Sequence, residues 1–327
     1  MRKWIAIILT LILFSCSSQK ENVSVSFYYW RTSFDLTPTE KLYLKELEIK
    51  KIYVRYFDVA LKDSQAIPNS PIIFKQNPEN LEIVPVVYIK NEIFTKNDTD
   101  SLPAKIYNYI QQINKSKGIS INEIQFDCDW SVTTKQQYFK FLEDFKKLFP
   151  NLSATIRLHQ VKYPEKTGTP NLKNGVLMYY NMGVIGPDKR NSIYDREVAS
   201  RYIQSLQHYT LPLKVALPIF SWGVQIRKHK VTNLIGGLRN TDLTEENFKK
   251  VQTNRYKVLK DFVYKGRFLA KDDEIKIEEI SDNQLKEMIK DIKKYIKTKP
   301  KEIILYDLNE QNIIHYEKQT FKNIKYW

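Results

Sequence analysis

The chain has 327 residues, with 52 Lys and Arg against 37 Asp and Glu, a formal charge of +15. It carries 21 Tyr, 16 Phe and 5 Trp and has no Gly/Ser/Pro-rich or low-complexity tract, which excludes a disordered or linker-rich protein. Two cysteines, Cys16 and Cys128, are too few for a disulfide scaffold, and no nucleic-acid-binding motif accompanies the positive charge.

Arg2 and Lys3 precede an almost wholly apolar run from Ile5 to Phe14 that ends in Ser15-Cys16. That layout is a secretory signal, too short for a comfortable bilayer span. Leu13-Phe14-Ser15-Cys16 resembles a bacterial lipobox, in which the cysteine becomes the lipidated first residue after cleavage. The following Gln19-Lys20-Glu21 resembles the signals that send some such lipoproteins to the cell surface. The expectation is a signal peptide over 1–15, a lipidated Cys16 with a tether to residue 22, and one domain over 23–327. The protein would then be exported and anchored in the bacterial outer membrane, on its periplasmic or its surface face. Cleavage removes Arg2 and Lys3 and leaves +13. Such a charge suits anionic glycans or anionic lipid, but Lys is spread along most helices beside abundant Ile, Asn and Tyr, which fits compositional drift better.

Eight runs rich in β-branched and aromatic residues follow, at 23–30, 51–59, 82–89, 123–130, 152–160, 175–183, 213–222 and 302–308. Amphipathic helices separate several of them. Ser101 and Pro103 open one ahead of Ile106, Ile110 and Ile113. Thr133 or Thr134 with Gln136 or Gln137 offers a capping box for another, whose stripe is Phe139, Leu142, Phe145 and Phe149. Val198, Tyr202, Ile203 and Leu206 mark a third. Asp282 opens the last, with Leu285, Met288, Ile289, Ile292 and Ile296 inside. Strands alternating with helices imply parallel pairing, and eight of them fit a closed (β/α)8 TIM-type barrel of the α/β class. No Gly-x-Gly-x-x-Gly follows the first strand, which argues against a dinucleotide-binding sheet. The barrel is expected to be irregular. Residues 161–174 show no helical pattern, and the long segment between strands seven and eight carries an apparent hairpin at 262–270 and 274–280.

Catalytic groups of such a barrel lie at the C-terminal ends of its strands. The fourth strand reads Glu123-Ile-Gln125-Phe-Asp127-Cys-Asp129-Trp130. With period two, Ile124, Phe126, Cys128 and Trp130 face the helices while Gln125, Asp127 and Asp129 face the barrel axis. Two carboxylates about 7 Å apart on one strand face are unfavourable to bury unless each is hydrogen-bonded or one is protonated. They point to a functional site, the competing explanation being a structural network tied to Arg55, Arg157 or His159. Other strand ends add Trp30, Arg55, Asp58, Arg157, His159, Tyr180, Asn181, Trp222 and Asp307, with Glu310 just beyond. Aromatic faces stack on sugar rings, Arg, Asn and His hydrogen-bond hydroxyls, and paired carboxylates handle protons at an anomeric centre.

Phe126-Asp127-Cys128-Asp129-Trp130 resembles the fourth-strand signature of family 18 glycoside hydrolases, Asp-x-Asp-Trp-Glu. Met178-Tyr179-Tyr180-Asn181 resembles that family's sixth-strand Met-x-Tyr-Asp/Asn. The resemblance implies a barrel in which Asp127 and Asp129 stand behind the acid while Tyr180 and Asn181 hold the sugar's 2-substituent. The chain departs from the pattern at Ser131, which occupies the place of the acid glutamate, and lacks the second-strand Ser-x-Gly-Gly. A hydroxyl has no matched pKa for general acid catalysis at neutral pH.

Two functions are therefore open. One is a glycoside hydrolase in which Asp127 and Asp129 work with Asp307 or Glu310 as the missing acid. The other is a non-catalytic carbohydrate-binding lipoprotein that retains the stacking residues. Metal-assisted hydrolysis through Asp127, Asp129 and His159 is a distant third, because no His-x-His pair or Cys cluster supports a metal. No cofactor and no protein partner is expected; a glycan and, through Cys16, a membrane are.

Overall fold

A computed structural model describes residues 22–96 and 99–326. The expected signal peptide, Cys16 and the expected tether up to residue 21 lie outside the described residues. Eight parallel strands close on themselves: β1 (Ser24–Tyr29), β2 (Lys51–Lys62), β3 (Glu82–Ile89), β4 (Ile124–Asp127), β5 (Leu152–Arg157), β6 (Asn174–Met178), β7 (Leu213–Pro218) and β8 (Glu302–Tyr306). Each pairs with its neighbour in sequence, and β1 pairs with both β8 and β2, so the barrel has no free edge. All eight expected strands are present in the expected order. Their longer helices are α1 (Pro38–Glu46), α2 (Leu102–Lys117), α3 (Lys135–Leu148), α4 (Arg196–Ile203), α5 (Asp282–Tyr295) and α6 (Lys318–Ile324).

Local chemistry explains the elements. Thr37 and Glu40 form a capping box on α1, and Ser281 with Gln284 forms one on α5, whose buried face is Leu285, Met288 and Ile292. The box expected on α3 is absent. Thr134 instead spends its hydroxyl on the Ser131 amide (2.9 Å) and the Asn91 side chain (2.6 Å). The buried face of α3 is Tyr138, Phe141, Leu142 and Phe145: Leu142 and Phe145 are buried as expected, while Phe139 and Phe149 pack at the edge of the core. That face packs edge-on against Phe126, with ring centroids 4.9 and 4.7 Å from Phe141 and Phe145. Trp130 stacks on Tyr138 at 5.2 Å and donates to the Thr167 carbonyl. The period-two reading of β4 thus holds on its helix-facing side.

The strand ends differ from the sequence expectation for identifiable reasons. β5 stops at Arg157 because the Gln160 side chain accepts from the Arg157 amide at 2.8 Å and starts a helical turn, Leu158–Lys162. His159 therefore lies on that turn, not on the strand. A second turn, Pro164–Thr167, follows where no helix was expected. β7 stops at Pro218, and Trp222 begins a separate strand. The β2–β3 connection is a hairpin, β2 with Gln65–Asn69, in place of a helix.

The segment between β7 and β8 holds a five-stranded antiparallel sheet in the order Lys230–Gly236, Trp222–Arg227, Glu274–Glu278, Arg255–Val258, Phe248–Gln252. Ile235, Leu238, Phe248, Tyr256, Val258, Leu269, Ile275 and Ile277 give it a small core of its own. The segments 262–270 and 274–280 do not form the expected hairpin with each other. Phe262–Tyr264 pairs with Arg267–Leu269, while Glu274–Glu278 is the sheet's central strand. The basic run Arg227-Lys228-His229-Lys230 forms the tight turn of the first hairpin, with Lys228 and His229 both at positive φ.

The barrel interior is polar at its N-terminal end. Lys214 bonds both oxygens of Glu123 (2.8 and 2.7 Å) and the Tyr53 hydroxyl (2.7 Å), which donates to Glu302 (2.9 Å). Ser153 donates to Glu123, and one layer up the Tyr28 hydroxyl donates to Gln125 at 2.6 Å. Such interiors are usually filled by Val, Ile and Leu.

Candidate functional site

Asp127 ends β4 at the C-terminal rim of the barrel and is 8% exposed. Across the sheet it is level with Tyr88 on β3, which in turn is level with Asp58 on β2. Thr155 on β5 donates to Asp127 Oδ1 at 2.6 Å. Burial pushes the Asp127 carboxyl up to about 6; the Thr155 hydrogen bond opposes this, and the nearby charge of Asp129 adds to it. Asp129 lies above it and is gripped in bidentate fashion by Arg157, through Nε to Oδ1 and through Nη2 to Oδ2 at 2.7 Å. Arg55 grips Asp58 in the same way, at 2.9 and 2.7 Å. A bulge at Tyr56 puts these two on one face despite their odd spacing. The structural network considered from sequence is thus present for Asp58 and Asp129, whereas Asp127 has no direct cationic partner among the described residues.

Aromatic rings wall this centre. Tyr306, the last residue of β8, has its ring 5.6 Å from Tyr28, 5.5 Å from Trp30, 5.3 Å from Tyr180 and 5.6 Å from Phe220. Phe220 carries the row on to Trp222 at 5.1 Å. The buried Tyr28 and Tyr180 and the Tyr306 ring all lie within the field of Asp127. The Tyr180 hydroxyl is buried with no hydrogen-bond partner among the described residues.

Of the residues expected from sequence, Asp127, Asp129, Arg157, Asp58, Arg55, Tyr180, Trp30 and Trp222 therefore gather at the C-terminal mouth of the barrel, with the buried Gln125 one layer below. His159 lies on the turn beyond β5, near Arg157 and Asp129; its ring is in part desolvated, which with the Arg157 charge lowers its pKa. Asn181 is exposed at φ +53° just past β6. Asp307 and Glu310 belong to a different group at the β1–β8 seam. Asn312 donates to Asp307 at 2.7 Å, and burial raises the Asp307 carboxyl to about 6 against the pull of Arg31. Thr39 donates to Glu310 at 2.6 Å and holds it below its ordinary range, while the Glu310 amide donates to the buried Glu40, itself bonded by Arg31. Ser131 begins the turn into α3, its hydroxyl bonded to those of Thr133 and Thr134.

Sequence reasoning missed Tyr28, Tyr88, Phe220 and Tyr306. Tyr88 and Tyr306 were accessible to the period-two rule, because Tyr88 alternates with Glu82, Val84 and Val86 and Tyr306 with Glu302 and Ile304.

The inserted sheet braces this wall through Glu278, 1% exposed. Its Oε2 accepts from the Trp222 indole at 2.8 Å, the Ser192 amide at 3.1 Å and the Ser192 hydroxyl, and its Oε1 pairs with Lys276 at 2.6 Å. Ser192→Ala is expected to lower stability by about 1.5 kcal/mol, the size of one buried hydrogen bond to a charge, as read by urea unfolding.

No protein-family profile matches the chain, and no curated protein is similar to it in sequence. Solved structures do match its shape. A chitinase from Bacteroides thetaiotaomicron superposes with a TM-score of 0.57 at 11% identity, over 93% of this chain and 96% of that one. The Bacillus cereus spore cortex-lytic enzyme SleL gives 0.56 at 12% identity, over 93% and 74%. A family 18 chitinase from Cycas revoluta, solved with allosamidin, gives 0.51 at 11%, over 93% and 98%. At these identities the likeness is one of fold, and the chain has the TIM-barrel fold of family 18 glycoside hydrolases.

Proposed function

We propose that this protein is an exported lipoprotein, anchored through Cys16, that binds a glycan in the cleft at the C-terminal end of its barrel. The observation that carries the reading is the Asp127–Asp129–Arg157 centre walled by Tyr28, Trp30, Tyr180 and Tyr306. The partly exposed rings of Trp30 and Tyr306 offer stacking faces for pyranose units, backed by the buried Tyr28 and Tyr180, and the carboxylates and guanidinium offer acceptors and donors for hydroxyl or amide groups. Binding without hydrolysis is favoured by position 131. The residue where the family resemblance implies an acid is a hydroxyl engaged in a helix-start turn. Its two expected substitutes are bonded elsewhere, Asp307 to Asn312 and Glu310 to Thr39. A second reading, hydrolysis, draws on one fact. Asp127, with a pKa of about 6, is in range to hold and release a proton near neutral pH.

Since the structural neighbours include chitinases, chito-oligosaccharides head the test panel. Calorimetry should detect binding by the wild type. Tyr306→Ala and Asp129→Asn should each weaken it by about tenfold or more, the scale of one stacking face or one charged hydrogen bond. Chromatography of the same mixtures decides between the readings. Intact sugar supports binding alone, and shortened products lost in Asp127→Asn establish a hydrolase. Absence of binding across a broad glycan panel would sink both.

A further inference from the structure

The eight strands are parallel, so every segment leading into a strand lies at one end of the barrel, opposite the cleft. The described chain begins at that end. The Val23 amide donates to the Lys325 carbonyl at 3.0 Å and the Ser24 amide to the Lys301 carbonyl at 3.1 Å. A tether over 16–22 is seven residues long and reaches at most about 25 Å when fully extended.

Lysines that are scattered in sequence gather at this end. Lys45 and Lys117 are exposed in the last turns of α1 and α2, where a helix C-terminus favours a cation in any case. Lys50, Lys173, Lys297 and Lys301 are different. All four are exposed on the loops leading into β2, β6 and β8; Lys297 directly follows the C-cap of α5, whereas Lys50, Lys173 and Lys301 stand apart from any helix's last turn. Acids of the same end include Glu46 and Glu48, already paired with Lys318 at 2.5 Å and Lys325 at 2.9 Å, and Glu79. We infer that this lysine-bearing end is a docking face for an anionic phospholipid bilayer, and that it holds the cleft pointing away from the membrane. The inference rests on the lipid-anchor reading. The short tether selects the N-terminal end of the barrel, since exposed lysines such as Lys228, Lys249 and Lys250 also crowd the inserted sheet, and charge attraction within a Debye length then holds the selected face against the surface.

The test uses the full chain, lipidated and reconstituted on vesicles that carry a headgroup quencher. One fluorophore is placed at Lys173→Cys, or at Lys250→Cys on the inserted sheet at the opposite end; Cys128, 1% exposed, is shielded from labelling. On phosphatidylcholine vesicles containing phosphatidylglycerol, the label at 173 should be quenched severalfold more than the label at 250. The difference should shrink on pure phosphatidylcholine, in high salt, and when Lys50→Glu, Lys297→Glu and Lys301→Glu are combined. Flotation with the vesicles but equal quenching, or stronger quenching at 250, leaves the anchor standing and overturns the docking face. Failure to float with either vesicle overturns the anchor and this inference together.

Discussion

Lys214→Met is expected to destabilise the barrel by about 3–5 kcal/mol, the usual loss when one partner of a buried ion network is removed. Lys214 is 8% exposed and bonds Glu123, 5% exposed, through two contacts, with Glu302 at 3.3 Å and the Tyr53 hydroxyl between. Without it, the two glutamates face each other in the N-terminal end of the barrel with Lys51 as their remaining cation, at 3.9 and 3.7 Å and a quarter exposed. Adding Glu123→Gln and Glu302→Gln to Lys214→Met should restore at least half of the loss, since the penalty is uncompensated charge and not lost volume. Urea unfolding of the three proteins at neutral pH measures this. A loss below about 1 kcal/mol for the single variant would mean that water already screens the cluster.

The barrel was legible because its periodicities are strong. Each strand carries a β-branched or aromatic run, and the alternate residues Ile124, Phe126, Cys128 and Trp130, which run from β4 past its end at Asp127, are apolar without interruption. What failed were strand ends, because local hydrogen bonds decide those. Nothing in the apolar pattern of 152–160 announces that Gln160 will fold back on the Arg157 amide, and the run at 213–222 reads as continuous although Pro218 ends one strand and Trp222 starts another. The inserted sheet was hidden for a related reason. Its outer strands, such as Phe248–Gln252, have one buried residue and four exposed ones, so there is little alternation to read.

At the site, the carboxylates of β4 and the neighbouring arginines were accessible from alternation alone. Their pairing was not. Arg55 meets Asp58 through a bulge, and Arg157 meets Asp129 from the next strand over, both of which depend on register. Asp307 and Glu310 were placed in the cleft by their position at a strand end. Yet Asp307 is bonded by Asn312, five residues on, and Glu310 by Thr39 from the far end of the chain, a contact that proximity in sequence does not encode.

Asp127→Asn should raise stability by about 2–3 kcal/mol at pH 8, and the gain should vanish by about pH 4. The native carboxyl titrates near 6, chiefly because burial penalises its charge, while in the unfolded chain it titrates in the ordinary range, near 4. Above pH 6 it is charged in both states, and the folded state bears the penalty. As the pH falls from 6 to 4 the native state takes up the proton first, so wild-type stability rises. Below 4 both states are protonated and the effect is flat. Asn has no charge to lose, keeps an oxygen for the Thr155 hydroxyl, and removes the pH dependence that Asp127 contributes. Asp307 has a raised pKa too, but it is unchanged between the two proteins and cancels in the difference. Urea unfolding of both proteins at several pH values gives the curve. A flat difference near zero would return Asp127 to the ordinary carboxylate range and leave the cleft without its proton-holding group. A gain that fades with an apparent pKa near 6, paired with glycan affinity that changes over the same range in the wild type and not in the variant, would show a carboxylate retained against stability for what it does to the ligand.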